Sequence, residues 1–178
     1  MKTMGIYIHV PFCRAKCSYC DFLSFSEGDY DAYVTALINE MQSAQIECAI
    51  DTVYIGGGTP TALPSPLLCK ILDNVKNFPI LPDAEITVEA NPGTLSQEYL
   101  HDIKKHGANR LSLGLQTTHH HLLKSISRIH TYEELKENYQ AAKTAGFKNI
   151  NIDLMFALPG QTLREWTETL EEIIDLSP

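Results

Sequence analysis

Residues 6–20 read IYIHVPFCRAKCSYC, and this stretch decides the fold because it joins a strand-like run to a cluster of thiols. Residues 6–10 are short, apolar and rich in β-branched side chains, a pattern typical of a buried strand. Cys13, Cys17 and Cys20 follow directly, spaced C-x3-C-x2-C. The sequence therefore predicts a first strand that ends at a thiol-rich loop.

Strand-like and helix-like segments alternate along the rest of the chain. Short β-branched or apolar runs predict further strands at residues 52–55, 86–88, 111–113 and 150–154. Helical periodicity and end signals predict helices at residues 30–47, 67–75, 99–106, 119–125, 131–146 and 162–176. The last two begin with capping boxes at Thr131 and Thr162. Five βα units with a helix on every crossover indicate an α/β fold with a parallel sheet, curved or open.

Composition narrows the class of protein. The 178 residues are 44% hydrophobic, enough for one sizeable core, and we expect a single domain over residues 1–178. A sixth strand would be due where the sequence stops, which favours the N-terminal part of a longer protein. The net charge of −8 argues against a nucleic-acid partner, and no run of 18 apolar residues predicts a membrane span. Clustered free thiols favour a reducing compartment, the cytoplasm.

Three thiols in one short loop can bind three irons of a 4Fe-4S cluster and leave the fourth iron without a protein ligand. An open metal position can bind a small molecule and support chemistry. Two other interpretations of Cys13, Cys17 and Cys20 are a disulfide framework and a structural zinc site. The odd total of five cysteines and the missing fourth ligand at zinc spacing count against both. Cys48 and Cys69 are predicted to be small buried hydrophobic residues.

Polar or glycine-rich loops follow every predicted strand. In parallel α/β folds, ligands bind beyond the carboxyl ends of the strands, so these loops should meet at one site. Three glycines at residues 56–58 would let a ligand approach the backbone closely, although a bare turn is the alternative. Glu89 could accept hydrogen bonds from ribose hydroxyls or an amino group. Arg128 could bind a carboxylate with two parallel hydrogen bonds, and surface charges are the alternative for both residues.

A set of motifs extends over nearly the whole chain: YIHVPFC (7–13), YCDF (19–22), GGGTPT (56–61), EANPG (89–93), LGLQT (113–117), RIH (128–130), NIDLM (151–155) and LPGQT (158–162). With the cysteine spacing, they resemble the radical S-adenosylmethionine (SAM) superfamily. Within it, they are most similar to the HemW branch of heme chaperones, which is related to oxygen-independent coproporphyrinogen III oxidase. The resemblance implies a partial (β/α) barrel, with a curved parallel sheet of about five βα units.

The resemblance also implies cofactors, partners and site residues. Cys13, Cys17 and Cys20 would bind a 4Fe-4S cluster, and the amino and carboxylate groups of SAM would chelate the fourth iron. The implied cofactor contacts are Tyr7, Tyr19, Gly57, Gly58, Thr59 and Glu89, with Gln116, Arg128 and Asp153 contacting a second cofactor molecule or the substrate. Further implied partners are an electron donor, heme and a heme-acceptor protein.

Three functions follow from this resemblance and its alternatives. A radical enzyme would cleave SAM reductively, a heme chaperone would use cluster and cofactor to regulate heme transfer, and a zinc-stabilised α/β module would only bind. The related oxidases carry a further cysteine two residues after the third cluster ligand, where this chain has Phe22. This difference favours the chaperone over porphyrinogen decarboxylation.

Overall fold

The computed structural model describes residues 2–178, over which strands and helices alternate. The strands are β1 (Thr3–Val10), β2 (Ala49–Gly57), β3 (Ile80–Ala90), β4 (Arg110–Gln116) and β5 (Asn149–Leu154). The α-helices are α1 (Tyr30–Ser43), α2 (Ser65–Val75), α3 (Gln97–Lys105), α4 (His120–Ser125), α5 (Tyr132–Thr144) and α6 (Leu163–Leu176). A turn of 3-10 helix, Pro60–Ala62, follows β2.

The five strands form one parallel sheet in the order β1-β2-β3-β4-β5. Sequential order means that each crossover advances by one strand in the same direction. Because such crossovers are right-handed, the helices all fall on one face of the sheet. In this sheet β1 and β5 are the two edges, so the expected partial (β/α) barrel is confirmed.

The two faces of the sheet differ because polar and apolar residues alternate along each strand. The face beneath the helices carries the main hydrophobic core, whose fully buried strand residues include Val10, Ile55, Val88, Leu111 and Leu113. The opposite face carries polar side chains, among them Tyr54, Glu89, Ser112, Asn151 and Asp153. The apolar face holds the barrel wall together, and the polar face is left free to line a site.

Both predicted capping boxes are confirmed. The Thr131 hydroxyl accepts a hydrogen bond from the Glu134 N–H at 3.2 Å, and the Glu134 carboxylate accepts from the Thr131 N–H at 2.8 Å. The same exchange joins Thr162 and Glu165 at 3.2 and 2.7 Å. These contacts satisfy N–H groups that a helix leaves unpaired at its first turn.

The end of α1 and the start of β3 show the largest differences from the predicted boundaries. Helix α1 ends at Ser43 rather than residue 47, because Ala44 leaves the helical conformation and Ile46 packs onto the core before β2 begins. Strand β3 begins at Ile80, well before residue 86. The sequence did not reveal this start, because Pro82 has no N–H to donate to the strand ladder. The pairing with β2 also shifts register across the same stretch.

No helix within residues 2–178 is long and apolar enough to cross a membrane.

Candidate functional site

The cysteine loop after β1 is closed at its base by backbone hydrogen bonds. The Cys13 N–H donates to the Phe25 carbonyl at 2.9 Å, and the Phe25 N–H donates to the Pro11 carbonyl at 2.7 Å. Further out, the Ser18 N–H donates to the carbonyl of Ile126, at the end of α4, at 3.2 Å. The loop that carries the three thiols is therefore tied to the barrel at both its base and its tip.

The glycine loop after β2 is joined to the same base. The Gly58 N–H donates to the Val10 carbonyl at 2.9 Å, and the Thr59 N–H donates to the Phe12 carbonyl at 2.6 Å. A Cβ atom added at Gly58 would lie 2.6 Å from the Phe12 carbonyl oxygen. Gly57 has φ +113°, and a Cβ there would strike the His9 ring. The space that these glycines leave open is filled by the cysteine loop and β1, a reason that the sequence did not reveal.

We expect Gly58→Ala to lower the free energy of unfolding by about 1–3 kcal/mol, because the clash is with backbone atoms that cannot rotate away. Urea denaturation measures this loss. Gly5→Ala is the matched control, since its added Cβ would meet the Thr52 hydroxyl, the end of an exposed side chain. Equal stability losses for the two variants would contradict this account of the glycine loop.

A cavity opens at the carboxyl-terminal edge of the sheet, between the cysteine loop and the strand ends. All but one of the predicted site residues line it: Cys13, Cys17, Tyr19, Cys20, Gly57, Gly58, Thr59, Glu89, Gln116, Arg128 and Asp153. Tyr7 does not line the cavity. Its ring stacks on Tyr54 with centroids 6.2 Å apart, and its hydroxyl contacts His9 Nδ1 at 3.2 Å.

The cysteines of the loop are free thiols, each half-buried. Burial raises the pKa of the Cys17 thiol, the Arg128 guanidinium opposes this rise, and neighbouring Cys20 and Cys13 add to it. All three thiols line the same cavity. Cys69 is buried in α2 as predicted, whereas Cys48 is half-buried in the loop before β2.

Glu89, near the end of β3, is held by two neighbours on the polar face. The Tyr54 hydroxyl donates to Glu89 Oε1 at 2.6 Å, and the Gly57 N–H donates to Oε2 at 3.2 Å. Burial raises the pKa of Tyr54 far above its usual value, and the Glu89 carboxylate raises it further, so Tyr54 stays a proton donor. A carboxylate has about four lone-pair positions, so Glu89 can still accept from a ligand.

Arg128 reaches across the cavity wall from the loop after α4. Its Nη2 donates to the Tyr19 hydroxyl at 2.7 Å, and its Nη1 donates to Asn91 Oδ1 at 2.5 Å. Arg128 Nε is buried and has no hydrogen-bond partner among the described residues. Arg128 and Asn91 also line a second hollow, which extends toward Glu134.

The ends of β4 and β5 complete the cavity. The Ser112 hydroxyl donates to Asp153 Oδ2 at 3.0 Å, and Asn151 Nδ2 donates to Asp153 Oδ1 at 2.6 Å. Gln116 is 6% exposed and has φ +76°, which is uncommon for a residue with a side chain. Strained backbone of this kind concentrates at functional sites.

Asn91, Tyr54, Ser112 and Asn151 take part in this site and were missed by sequence reasoning. For Tyr54, Ser112 and Asn151, the missing signal was the alternation of polar and apolar residues along β2, β4 and β5. Asn91 directly follows β3, and its role depends on contacts with residues from other loops. Parallel strands buried on both faces read as continuous apolar runs. An alternating pattern in a parallel sheet therefore indicates that one face borders a polar cavity.

His130 lies behind Arg128 and is 3% exposed, with Nε2–H donating to the Leu115 carbonyl at 3.2 Å. Burial, reinforced by the positive charge of Arg128, lowers the pKa of His130 to about 4. An unfolded histidine titrates near 6.5, so from about pH 6.5 down to about pH 4 only the unfolded chain takes up this proton. Stability from this group is full above that window and is lost as the pH falls through it.

We therefore expect His130→Gln to remove roughly 3 kcal/mol of the pH dependence of the unfolding free energy between these limits. Urea denaturation at a series of pH values measures it. Parallel pH profiles for the variant and the parent chain would show that His130 does not titrate in this way.

The donor set fits a 4Fe-4S cluster with SAM. Three free thiols share the cavity with Glu89 and with an arginine whose Nε is buried without a partner. No three Cys, His, Asp or Glu side chains in residues 2–178 form a group that could hold a single metal ion. A cubic cluster does not require this, because each thiolate binds a different iron.

Comparison with known proteins agrees with this fold and site. The sequence profile of the Radical SAM superfamily matches residues 7–173, and the chain belongs to this superfamily. Heme chaperone HemW from Escherichia coli (strain K12) is 39% identical over 185 residues, which cover 100% of this chain and 49% of the relative. Heme chaperone HemW from Lactococcus lactis subsp. lactis (strain IL1403) is 42% identical over 178 residues, covering 98% of this chain and 47% of the relative.

Among solved structures, coproporphyrinogen III oxidase (HemN) from Escherichia coli, a radical SAM enzyme, matches with a TM-score of 0.88 and 29% identity. The match covers 98% of this chain and 42% of that one. The chain spans about half the length of the curated relatives it matches.

Proposed function

We propose that the chain binds a 4Fe-4S cluster through Cys13, Cys17 and Cys20 and binds SAM beside it, and that it serves as a heme chaperone. The observation that carries the proposal is the cavity itself. It places the three free thiols, the glycine loop and Glu89 on one surface at the carboxyl ends of the strands. Three thiolates leave one iron of a cubic cluster open to a further ligand.

Around that open iron, the chain's own residues orient SAM. Glu89 accepts hydrogen bonds from ribose hydroxyls or the amino group while Tyr54 and Gly57 hold its carboxylate in place. By the family resemblance, Tyr19 would lie against the adenine, and Gly57, Gly58 and Thr59, which line the same cavity, would hold the methionine end. The cluster and SAM together supply reductive carbon–sulfur cleavage, and the protein supplies orientation and exclusion of water.

A second ligand is proposed for the far wall of the same cavity. Gln116, Arg128 and Asp153 line it and contribute an amide, a guanidinium and a carboxylate. A guanidinium suits carboxylate groups, and both a second SAM molecule and a heme propionate carry one. Tyr7 remains proposed as a contact, acting from the edge of the site.

Heme transfer is preferred to porphyrinogen decarboxylation for two reasons. The relatives at 39% and 42% identity are heme chaperones, whereas the oxidase match is at 29%. Phe22 lies at the cavity with 63% of its surface exposed, where the oxidases carry a further cysteine. The proposal includes an electron donor, a heme-acceptor protein and a reducing cytoplasmic setting that keeps the thiols free.

The test is transfer of heme from the anaerobically reconstituted chain to a heme-free globin, followed by the absorbance of the acceptor. Porphyrinogen decarboxylation is measured in parallel on the same preparation. We expect heme binding and transfer that respond to cluster and SAM, without decarboxylation. Decarboxylation without heme transfer would reject the chaperone in favour of the oxidase.

A further inference from the structure

A chain of hydrogen bonds joins the guanidinium of Arg128 to a sulfur of the cysteine loop. Arg128 Nη1 donates to Asn91 Oδ1 at 2.5 Å, and Asn91 Nδ2 lies 2.7 Å from Thr59 Oγ1. Thr59 Oγ1 in turn lies 3.5 Å from Cys13 Sγ. Asn91 joins Arg128 to Thr59 in this series of hydrogen bonds. The SAM contacts described above do not include Asn91.

Arg128 fixes the direction in which these hydrogen bonds are donated. Arginine can only donate, so the side-chain oxygen of Asn91 must face Arg128 and its amide nitrogen must face Thr59. The Thr59 oxygen then accepts from Asn91. The single proton of the Thr59 hydroxyl remains, and Cys13 Sγ is the other polar atom within reach.

Neighbouring residues hold Thr59 and Asn91 in position for these hydrogen bonds. Thr59 is 2% exposed, and its backbone N–H is bonded to the Phe12 carbonyl at 2.6 Å. Asn91 can approach because residue 114 is glycine: a Cβ there would lie 2.9 Å from Asn91 Oδ1. In such a buried setting a hydrogen bond has a larger electrostatic effect than in water.

We propose that Asn91 is a positioning residue that directs the Thr59 hydroxyl proton onto Cys13 Sγ and so raises the reduction potential of the cluster. This inference rests on the proposed cluster. Reduction adds negative charge to the cluster and its thiolates, and a hydrogen bond to a ligand sulfur stabilises that charge. The same series of hydrogen bonds also links Arg128, on the wall assigned to the second ligand, to the cluster ligand Cys13.

The test is the midpoint potential of the reconstituted chain without SAM, titrated by electron paramagnetic resonance. One hydrogen bond is worth about a tenfold change in an equilibrium constant, which for one electron is about 59 mV. We expect Asn91→Leu and Thr59→Val each to lower the potential by about this amount. The double variant should show the shift of one, because Asn91 acts through Thr59.

Thr59→Ser and Thr61→Val are the controls. Thr59→Ser keeps the hydroxyl and should keep the parent potential. Thr61 is equally buried in the same loop, but its hydroxyl meets Thr94 at 2.7 Å, so Thr61→Val should cause no shift. If Asn91→Leu does not assemble the cluster, the potentials of Thr59→Val and Thr59→Ser are compared to test whether the Thr59 hydroxyl acts on the cluster.

The outcomes separate this inference from the proposed function. A parent chain that assembles no cluster overturns both. A parent chain with cluster and SAM binding, but with equal potentials in Thr59→Val and Thr59→Ser, overturns the Asn91 inference alone. Additive shifts in the double variant overturn it as well, because Asn91 would then act independently of Thr59.

Discussion

Cys17→Ser is expected to abolish assembly of the iron–sulfur cluster. Cys17 lies between the other two loop thiols in sequence and lines the same cavity as both. Serine replaces the thiolate, the form that binds iron, with a poorly acidic hydroxyl. With one of three ligands gone, the cluster would have two open positions. We expect the iron content and the visible absorbance to fall close to those of the unreconstituted chain.

Cys48→Ser is the matched control, because Cys48 is also a free, half-buried thiol but lies in the loop before β2. It should retain the full iron content. Anaerobic reconstitution, iron and sulfide analysis and paramagnetic resonance of the reduced protein measure both variants. A Cys17→Ser chain with an undiminished 4Fe-4S signal would show that the ligand assignment is wrong.

Glu89→Gln is expected to weaken SAM binding by about 10- to 100-fold in Kd. Hydrogen bonds to a charged group contribute about 1.5–3 kcal/mol, and each 1.4 kcal/mol is a factor of ten in affinity. The substituted amide also turns an N–H toward either the Tyr54 hydroxyl or the Gly57 N–H, both of which donate to the carboxylate. The substitution therefore removes the negative charge of residue 89 and also disturbs its contacts with Tyr54 and Gly57.

Glu85→Gln is the control for this substitution. Glu85 lies on the same strand and the same face as Glu89, but it contacts Arg110 and Asn149 and is absent from the cavity lining. Isothermal titration of SAM into the cluster-loaded chain compares the two variants. Equal affinities for Glu89→Gln and the parent chain would remove Glu89 from the cofactor site.

Sequence alone predicted the alternation of strands and helices, the parallel sheet and the edge where the loops meet. All three depend on local signals. β-Branched runs mark strands, capping boxes mark helix starts, and right-handed crossovers leave few arrangements of a βα repeat. The grouping of Cys17 and Glu89 in one cavity followed from the rule that parallel strands present their carboxyl ends together. Arg128 follows a helix, α4, and only the family resemblance placed it at this site.

The rest depends on tertiary contacts that a sequence does not display. The start of β3 was hidden by Pro82, and the fit of Gly58 depends on the Phe12 backbone, 46 positions earlier in the chain. The link from Arg128 through Asn91 also required the fold, because no spacing pattern connects residues from separate loops.

The cluster and its open iron are the basis of every cofactor contact proposed for this chain. We propose to measure the iron and sulfide content of the anaerobically reconstituted chain, and its paramagnetic spectrum when reduced, with and without SAM. We expect about four irons and four sulfides per chain and a spectrum that changes when SAM is added. Stoichiometric zinc without iron, or a cluster spectrum that SAM leaves unchanged, would contradict it.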